Sequence, residues 1–401
     1  MSREAVLGVA AGSTGSRSLL RRMNSLGVLR AVVAGPRTLR ALAAGSGLSR
    51  TAVDAIVGDL VGLGWLTSVE GEPGPRVGRP ASAWGLRPGL GHLLSLDVGA
   101  NRVHAVVADL AGEVAGRRST TLQESLGADD RIVASVATAD DLLAELGLGR
   151  GDLWVVAVGS PGAVSGEGRV LHFGGTGMPG WTGLDLRQRF GAEFDAAVVV
   201  EGDVALGAQA ELTYGAARGH RDVVYLHCGA RTSGASVVDG RVHRGVHGAA
   251  GIVGEMPELK WAELDERYGS SVLPEPRPTR EQIFAAARAG DPAAVAAVEE
   301  FADDLATGAA ALTLAIDPEL LVVGGGSTPG ADVFLPRFEA TLRTICPLPP
   351  TVVVSELGAD AVARGGISVA VDRLAATLEA AVRERDAFPG PRETARLLAA
   401  R

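Results

Sequence analysis

Residues 35–88 read GPRTLRALAAGSGLSRTAVDAIVGDLVGLGWLTSVEGEPGPRVGRPASAWGLRP, and the rest of the chain is organised around this stretch. Thr38 to Ala44 is a short helical run, Gly45-Ser46-Gly47 is a turn, and Ser49 stands where it can cap a second helix. Val53, Ile56, Val57, Leu60 and Val61 recur at helical spacing and give that second helix one buried face. A short helix, a Gly-containing turn and a capped helix make a helix-turn-helix. Arg50 and Thr51 fall in the first turn of the second helix, off its apolar face. In such motifs this turn meets base edges in the major groove of double-stranded DNA.

The flanking residues extend the pattern. Trp65 to Val69 alternates like a strand, Glu70 to Arg79 is rich in turn formers, and Ala81 to Leu86 suits a returning strand. The expected product is a β-wing with Arg76, Arg79 and Pro80 near its tip, where an arginine reaches phosphate or a narrow minor groove. Asp54 follows Arg50 by one turn. It either pairs with Arg50, accepts from a cytosine amine, or is repelled by phosphate.

Composition sets the bounds. At 401 residues the chain exceeds one core, and 46% hydrophobic with 21% charged residues describes a globular protein. No uninterrupted apolar run approaches the ~18 residues of a membrane span. Ala5 to Ala11 is too brief for a signal-peptide core, so a cytoplasmic protein is expected. Cys228 and Cys346, the two cysteines, give neither a disulfide framework nor a zinc ribbon. Net charge is -9, yet residues 1–88 hold eleven arginines against five acids. That surplus of six leaves -15 on the remainder, a basic module on an acidic body.

Read in order, Ser13 to Val33 is a long first helix with a stripe of Leu19, Leu20, Met23, Leu26, Leu29 and Val33. Arg87-Pro88-Gly89 ends residues 1–88 as a domain. Strand-like runs then alternate with helical ones from Leu93-Leu94-Ser95-Leu96-Asp97-Val98-Gly99 through Val155–Val158, Val198–Val200, Val223–His227, Leu320–Val323 and Val352–Val354. This alternation predicts an α/β body of two lobes, 89–200 and 201–385, around a cleft. Residues 386–401 are expected to be a fraying tail.

Six motifs in this order carry a resemblance. They are Asp97-Val98-Gly99-Ala100-Asn101, Gly159-Ser160-Pro161-Gly162, Met178-Pro179-Gly180-Trp181, Val200-Glu201-Gly202-Asp203, Arg244 to Gly251, and Gly324-Gly325-Gly326. Together, from about Gly12 to about Leu378, the chain resembles the ROK family (repressor, open reading frame, kinase). The resemblance implies an actin-like, sugar-kinase-like body of two α/β lobes, with a winged helix-turn-helix in front in the repressor branch.

The resemblance also says which groups should stand in the cleft, and several are absent. Asp203 holds the place of the family's catalytic base, but Gly202 replaces the preceding sugar-binding Asn, and Gly177 stands where an Asn is frequent. The Gly-Glu-x-Gly-His motif becomes Gly251-Ile252-Val253-Gly254-Glu255, so Ile252 replaces the sugar-binding Glu and Glu255 the zinc-binding His. No cysteine-rich zinc loop follows. Arg231 enters the second phosphate loop, where it either binds an anion or fills a vacated site. Asp203 is either a surviving base or a remnant acid. Gly324 to Gly326 either approaches adenosine or makes a tight strand-to-helix turn.

The expectation is therefore a DNA-binding transcriptional regulator, a repressor, acting as a dimer or tetramer on a double-stranded operator. Ser49, Arg50, Thr51, Arg76 and Arg79 are its DNA-contact candidates. Gly177, Gly202, Asp203, Arg231, His247, Ile252 and Glu255 are candidates for a cleft that takes a small-molecule effector. No metal, cofactor or membrane partner is expected. The rival readings are a residual sugar kinase using Asp203, a sensor of a non-sugar ligand in the cleft, and a scaffold whose winged helix binds protein.

Overall fold

The computed structural model describes residues 17–69, 82–175, 177–229, 231–268 and 278–400. The N-terminal part is built from α1 (Arg17–Val33), β1 (Arg37–Thr38), α2 (Leu39–Ser46), α3 (Arg50–Gly62), β2 (Leu66–Val69) and β3 (Ala83–Leu86). The strands form a sheet of order β1-β3-β2. Thr38 caps α2 by accepting from the Ala41 amide at 3.2 Å, and Ser49 caps α3 by accepting from Ala52 at 3.2 Å. Gly47, at φ 69°, ends α2 in the left-handed conformation that favours glycine. Gly45 and Ser46, expected in the turn, instead extend α2, so the turn begins at Gly47, where the left-handed backbone ends the helix.

Two expected faces are corrected. In α3, Val53, Ile56, Val57 and Leu60 are buried, but Val61 is exposed. In α1, Leu20 is 58% exposed, and burial concentrates at Leu26, Val28, Leu29 and Val32. The second half of α1 is wedged between α3 and a long helix near the end of the chain, α11 (Ala361–Glu384), so more than one face is covered there.

The body begins with β4 (His92–Val98), β5 (Arg102–Asp109), β6 (Val114–Thr121), α4 (Ala128–Glu145), β7 (Leu153–Ser160), β8 (Ala163–Val164), β9 (Val170–His172), α5 (Leu186–Gly191), β10 (Ala197–Gly202) and α6 (Asp203–Tyr214). It continues with β11 (Val223–Cys228), β12 (Thr232–Val238), β13 (Arg241–His243), α7 (Trp261–Tyr268), α8 (Arg280–Arg288), α9 (Pro292–Ile316), β14 (Leu320–Gly324), α10 (Ala331–Ile345), β15 (Thr351–Val354), α11 (Ala361–Glu384) and α12 (Pro391–Ala399). The two main sheets have orders β10-β7-β4-β5-β6 and β13-β12-β11-β14-β15. Each is an antiparallel meander of three strands whose first member continues into two parallel neighbours. The body is thus one topology used twice. The parallel strands read as unbroken apolar runs because both faces are covered; all eight residues of β7 are buried.

Thr232 to Gly234, in the segment expected as the second phosphate loop, instead begin β12. A Cβ on Gly234 would fall 2.4 Å from Leu312, so that glycine answers to packing against α9.

The C-terminal residues are also corrected. The segment expected to fray forms α12, with Leu398 fully buried. Its amphipathic pattern finds a partner in the body, and Pro391 starts it at a position where no amide donor is needed. The indole N–H of Trp65 donates to the Pro389 carbonyl at 2.8 Å, and Trp65 packs edge-on against Trp154 at 6.0 Å. Arg22 donates to the carbonyls of Val382 (3.0 Å) and Asp386 (3.1 Å), and Arg30 pairs with Glu379 at 3.0 Å. One apolar cluster runs from α1 and α3 through Trp65 to α11 and Leu398.

Candidate functional site

A cavity of about 910 Å³ opens between the two sheets. It lies where strands end and helices begin, the usual ligand position in α/β folds. Asp97 closes β4, Asp203 opens α6 directly after β10, and Gly325 and Gly326 follow β14. In register, Asp97 and Glu201 stand level with each other on either side of Gly159. A Cβ on Gly159 would lie 2.9 Å from Val362 and 3.0 Å from Leu206, so this glycine lets α6 and α11 close over the strand.

The ionisable groups of the cavity are largely matched to one another. Asp97 meets Arg102 at 3.4 Å, Glu201 meets Arg244 at 2.8 Å, and Glu255 meets His172 at 3.2 Å. Burial raises the Asp97 carboxyl above its ordinary value in spite of Arg102. Asp203 is pushed up to about 7, first by burial and then by the nearby Asp97 charge. It accepts from the Val204 amide at 2.8 Å. His227 is pushed down to about 4, by burial and then by Arg102 and Arg280, so it is neutral at neutral pH. Its Nδ1 lies 3.3 Å from the Tyr225 hydroxyl.

Arg231 sets the shape of the second-lobe wall. Its guanidinium lies 4.7 Å from the centre of the Phe173 ring, and a Cβ on Gly175 would sit 1.7 Å from its Cζ. The arginine thus rests on the Phe173–Gly175 segment of the first lobe and links the walls. Behind it, Arg280 donates to the Gly229 carbonyl at 2.7 Å and to Ser327, while Ser327 donates to the Cys228 carbonyl at 2.8 Å. Two of the three consecutive glycines have packing reasons. A Cβ on Gly324 would strike the Tyr225 ring at 2.7 Å, and one on Gly325, at φ 90°, would strike the Cys228 backbone at 2.7 Å. Gly326 has open space around it and faces the cavity.

Of the cleft residues singled out in the sequence, Gly202, Asp203, Arg231, Ile252 and Glu255 line the cavity. Gly177 and His247 do not. Gly177 lies beside Glu124 at φ 86°, and His247 is exposed on the loop after β13. Sequence reasoning passed over Arg102, His172, Phe173, Glu201, His227 and Arg244. Only Glu201 and Arg244 stood inside quoted motifs; the others are brought in by chain segments that no local pattern connects. Among the described residues, no group of three His, Cys, Asp or Glu side chains is placed to hold a metal ion. No helix among them is long and apolar enough to cross a membrane.

A second surface lies at the N-terminal part. Arg37, Arg40, Arg50, Thr51 and Asp54 are exposed around the starts of β1, α2 and α3, and Ser49 is exposed at its capping position. No ion pair joins Arg50 to Asp54 among the described residues. Asp59 pairs with Arg21 instead, at 2.6 Å. Arg76 and Arg79 fall outside the described residues.

Comparison with known proteins follows this division of the chain. The ROK family pattern matches residues 93–260 and 264–373. The bifunctional enzyme NanE/NanK of Brucella melitensis is 31% identical over 280 residues, which span 67% of this chain and 52% of that one; the chain thus accounts for about half of that enzyme's length. The xylose repressor of Caldicellulosiruptor bescii is 22% identical over 374 residues, spanning 82% and 89%. Among solved structures, a ROK family transcriptional regulator described as a homologue of the E. coli MLC protein superposes with a TM-score of 0.65 at 20% identity, covering 88% of this chain and 97% of that one. Both regulators and sugar kinases are therefore among its relatives.

Proposed function

Because the chain belongs to the ROK family, we propose that it is a DNA-binding transcriptional regulator of that family, a repressor, with a sugar-kinase-like body that no longer works as a kinase. The observation that carries this reading is the N-terminal part. It presents the capped start of α3, with Arg50 and Thr51 outward, beside a hairpin, as a winged helix-turn-helix does. The extent of the likenesses supports it: the match to the xylose repressor spans 82% of the chain and that to NanE/NanK 67%. The body's basic neighbour reads operator DNA, and a dimer or tetramer in the cytoplasm places two such helices on half-sites about 34 Å apart or a multiple of that. The cleft serves as a sensor for a small-molecule effector.

Helix α11 supplies the physical connection that such a sensor needs. Ala361 and Val362, at its start, border the cavity, and Glu379 and Val382, near its end, hold α1. Across its 24 residues, about 36 Å of helix, it packs on α6 and on the strands of the first sheet. Gly365 and Gly366 let it press onto α6 and β4; a Cβ on Gly365 would sit 1.9 Å from the Leu206 carbonyl.

One observation favours the kinase reading: Asp203 lies in the cleft with its carboxyl pushed up to about 7, near the ideal for a base at neutral pH. Against it, Arg231 stands in the segment expected as the second phosphate loop, and the expected sugar-side positions hold Gly202 and Ile252. The deciding experiment is a binding titration on the chain's own upstream DNA at several salt concentrations, run beside a phosphotransfer assay with a sugar panel. Tight binding whose logarithm falls linearly with log salt is expected, with no phosphotransfer. Salt-insensitive or absent DNA binding, with phosphotransfer abolished by Asp203→Asn, would reverse the reading.

A further inference from the structure

Among the described residues, three of the four carboxylates that line the cleft are matched by a basic side chain. Asp97, Glu201 and Glu255 each face a basic side chain within 3.4 Å. The exception is Asp203. Its carboxylate accepts from backbone amides of the first turn of α6 and, among the described residues, from no side chain. It stands on the wall of a cavity of about 910 Å³, large enough for a guest of monosaccharide size. The space beside it is open: Gly202 has no side chain, and a Cβ there would meet only the Gly162 carbonyl, at 3.5 Å. The Ile252 side chain, which also lines the cavity, offers no hydrogen bond to a neutral hydroxyl. A half-buried carboxylate without a side-chain donor, beside the Asp97 charge, favours a cation over a hydroxyl.

We propose that the cleft binds its small-molecule effector through a primary ammonium group seated against Asp203, so that the ligand class is amines of amino-sugar or short-diamine size and excludes the corresponding neutral sugars. This deepens the sensor role proposed above and rests on it. The groups facing Asp203 agree with that choice. Asp97 adds negative charge from β4, Arg102 is engaged by Asp97, and His227 is neutral at any pH well above 4. Arg231 is the opposing cation, and its guanidinium is stacked on Phe173. An ammonium group needs the ionised carboxylate, and half of Asp203 is protonated near pH 7. Affinity therefore falls, roughly tenfold per pH unit at the limit, as pH drops below that point.

The test uses the full-length protein in thermal melting and calorimetry with four probes: glucosamine, putrescine, glucose and N-acetylglucosamine. At neutral pH either or both of the first two should raise the melting temperature by several degrees, and the two neutral sugars should not. Glucosamine against putrescine separates an amino sugar from a diamine. Putrescine, cationic throughout, carries the pH series; its binding should weaken between about pH 8 and pH 6. Asp203→Asn should abolish amine binding and Asp203→Glu, which keeps the charge, should retain the preference. The inference is overturned if the neutral sugars stabilise as much as the amines, if amine binding survives Asp203→Asn, or if neither amine binds at about 10 mM, roughly the weakest affinity worth a few kcal/mol. None of these readings involves DNA. An amine-selective cleft in a chain that ignores DNA would keep this inference and remove the regulator reading.

Discussion

The exposed arginines at the starts of α2 and α3 and the arginines of the cleft are the same residue type in opposite conditions. Arg37, Arg40 and Arg50 point outward, with no ion pair among the described residues. Arg102 and Arg244 are each set against a carboxylate, and Arg231 lies flat on an aromatic ring. A surface that attracts a polyanion keeps its cations hydrated and unmatched, because each contact then releases a counterion from the partner. Inside a cavity most charges settle against one another, because an unmatched ion away from water is costly. On the function proposed above, the unmatched charges are where each region meets a partner: the arginines around α3, and Asp203 in the cleft.

The largest effect should come from separating the two regions. Leu398→Ala opens a cavity in the cluster that joins α12 to Trp65 and α1, and should cost about 2–5 kcal/mol in urea unfolding. If the loss is below about 1 kcal/mol, α12 is not part of the shared core. Next is the reading surface. Arg50→Ala should weaken specific DNA binding by about 1–3 kcal/mol and binding to scrambled duplex much less, if Arg50 holds a guanine edge. An equal loss on both duplexes would make it a phosphate contact and move base readout elsewhere.

A smaller effect concerns the cleft acid. The folded-state carboxyl of Asp203 lies above its ordinary 3.8, so the folded protein holds a proton that the unfolded chain gives up. Stability from this group is present below about pH 4 and is lost as pH rises towards 7. Asp203→Asn should be neutral at low pH and more stable than the parent above pH 7, by about 1 kcal/mol. A carboxyl raised this far in a fully sealed site would give roughly 4 kcal/mol, but Asp203 is only half-buried and water screens it. Melting curves across pH check the sign, and a gap that widens on acidification would refute the assignment. The smallest effect is at the clasp between α1 and α11: Arg30→Ala removes a half-exposed pair with Glu379 and should cost no more than about 1 kcal/mol. A larger loss would mean that the pair, rather than the apolar cluster, holds the N-terminal part in place.

Legibility differed between the regions for a physical reason. In the N-terminal part the decisive interactions are local. Ser49 reaches an amide three residues on, Gly47 closes α2, and Val53, Ile56, Val57 and Leu60 recur at helical spacing. Each can be read in a window of a dozen residues. The errors there, Leu20 and Val61, arose where burial depends on a remote helix. In the cleft almost every pair spans distant sequence: Glu201 with Arg244, His172 with Glu255, Phe173 with Arg231. Motif resemblance located Asp203 and Arg231, but it could not say that His172 would meet the very residue standing in the place of a zinc-binding histidine.

By itself the sequence determined the capped α3, the apolar strands and the charge asymmetry between the two parts. These depend on residue type and short-range spacing. Only the tertiary structure decided that the body repeats one sheet topology, that α12 is a packed helix, and that Gly324 and Gly325 serve packing. It alone also left Asp203 as the cleft acid with no side-chain donor among the described residues. Those outcomes depend on which surfaces meet after the chain has folded back on itself, and burial and charge pairing have no value until that meeting occurs.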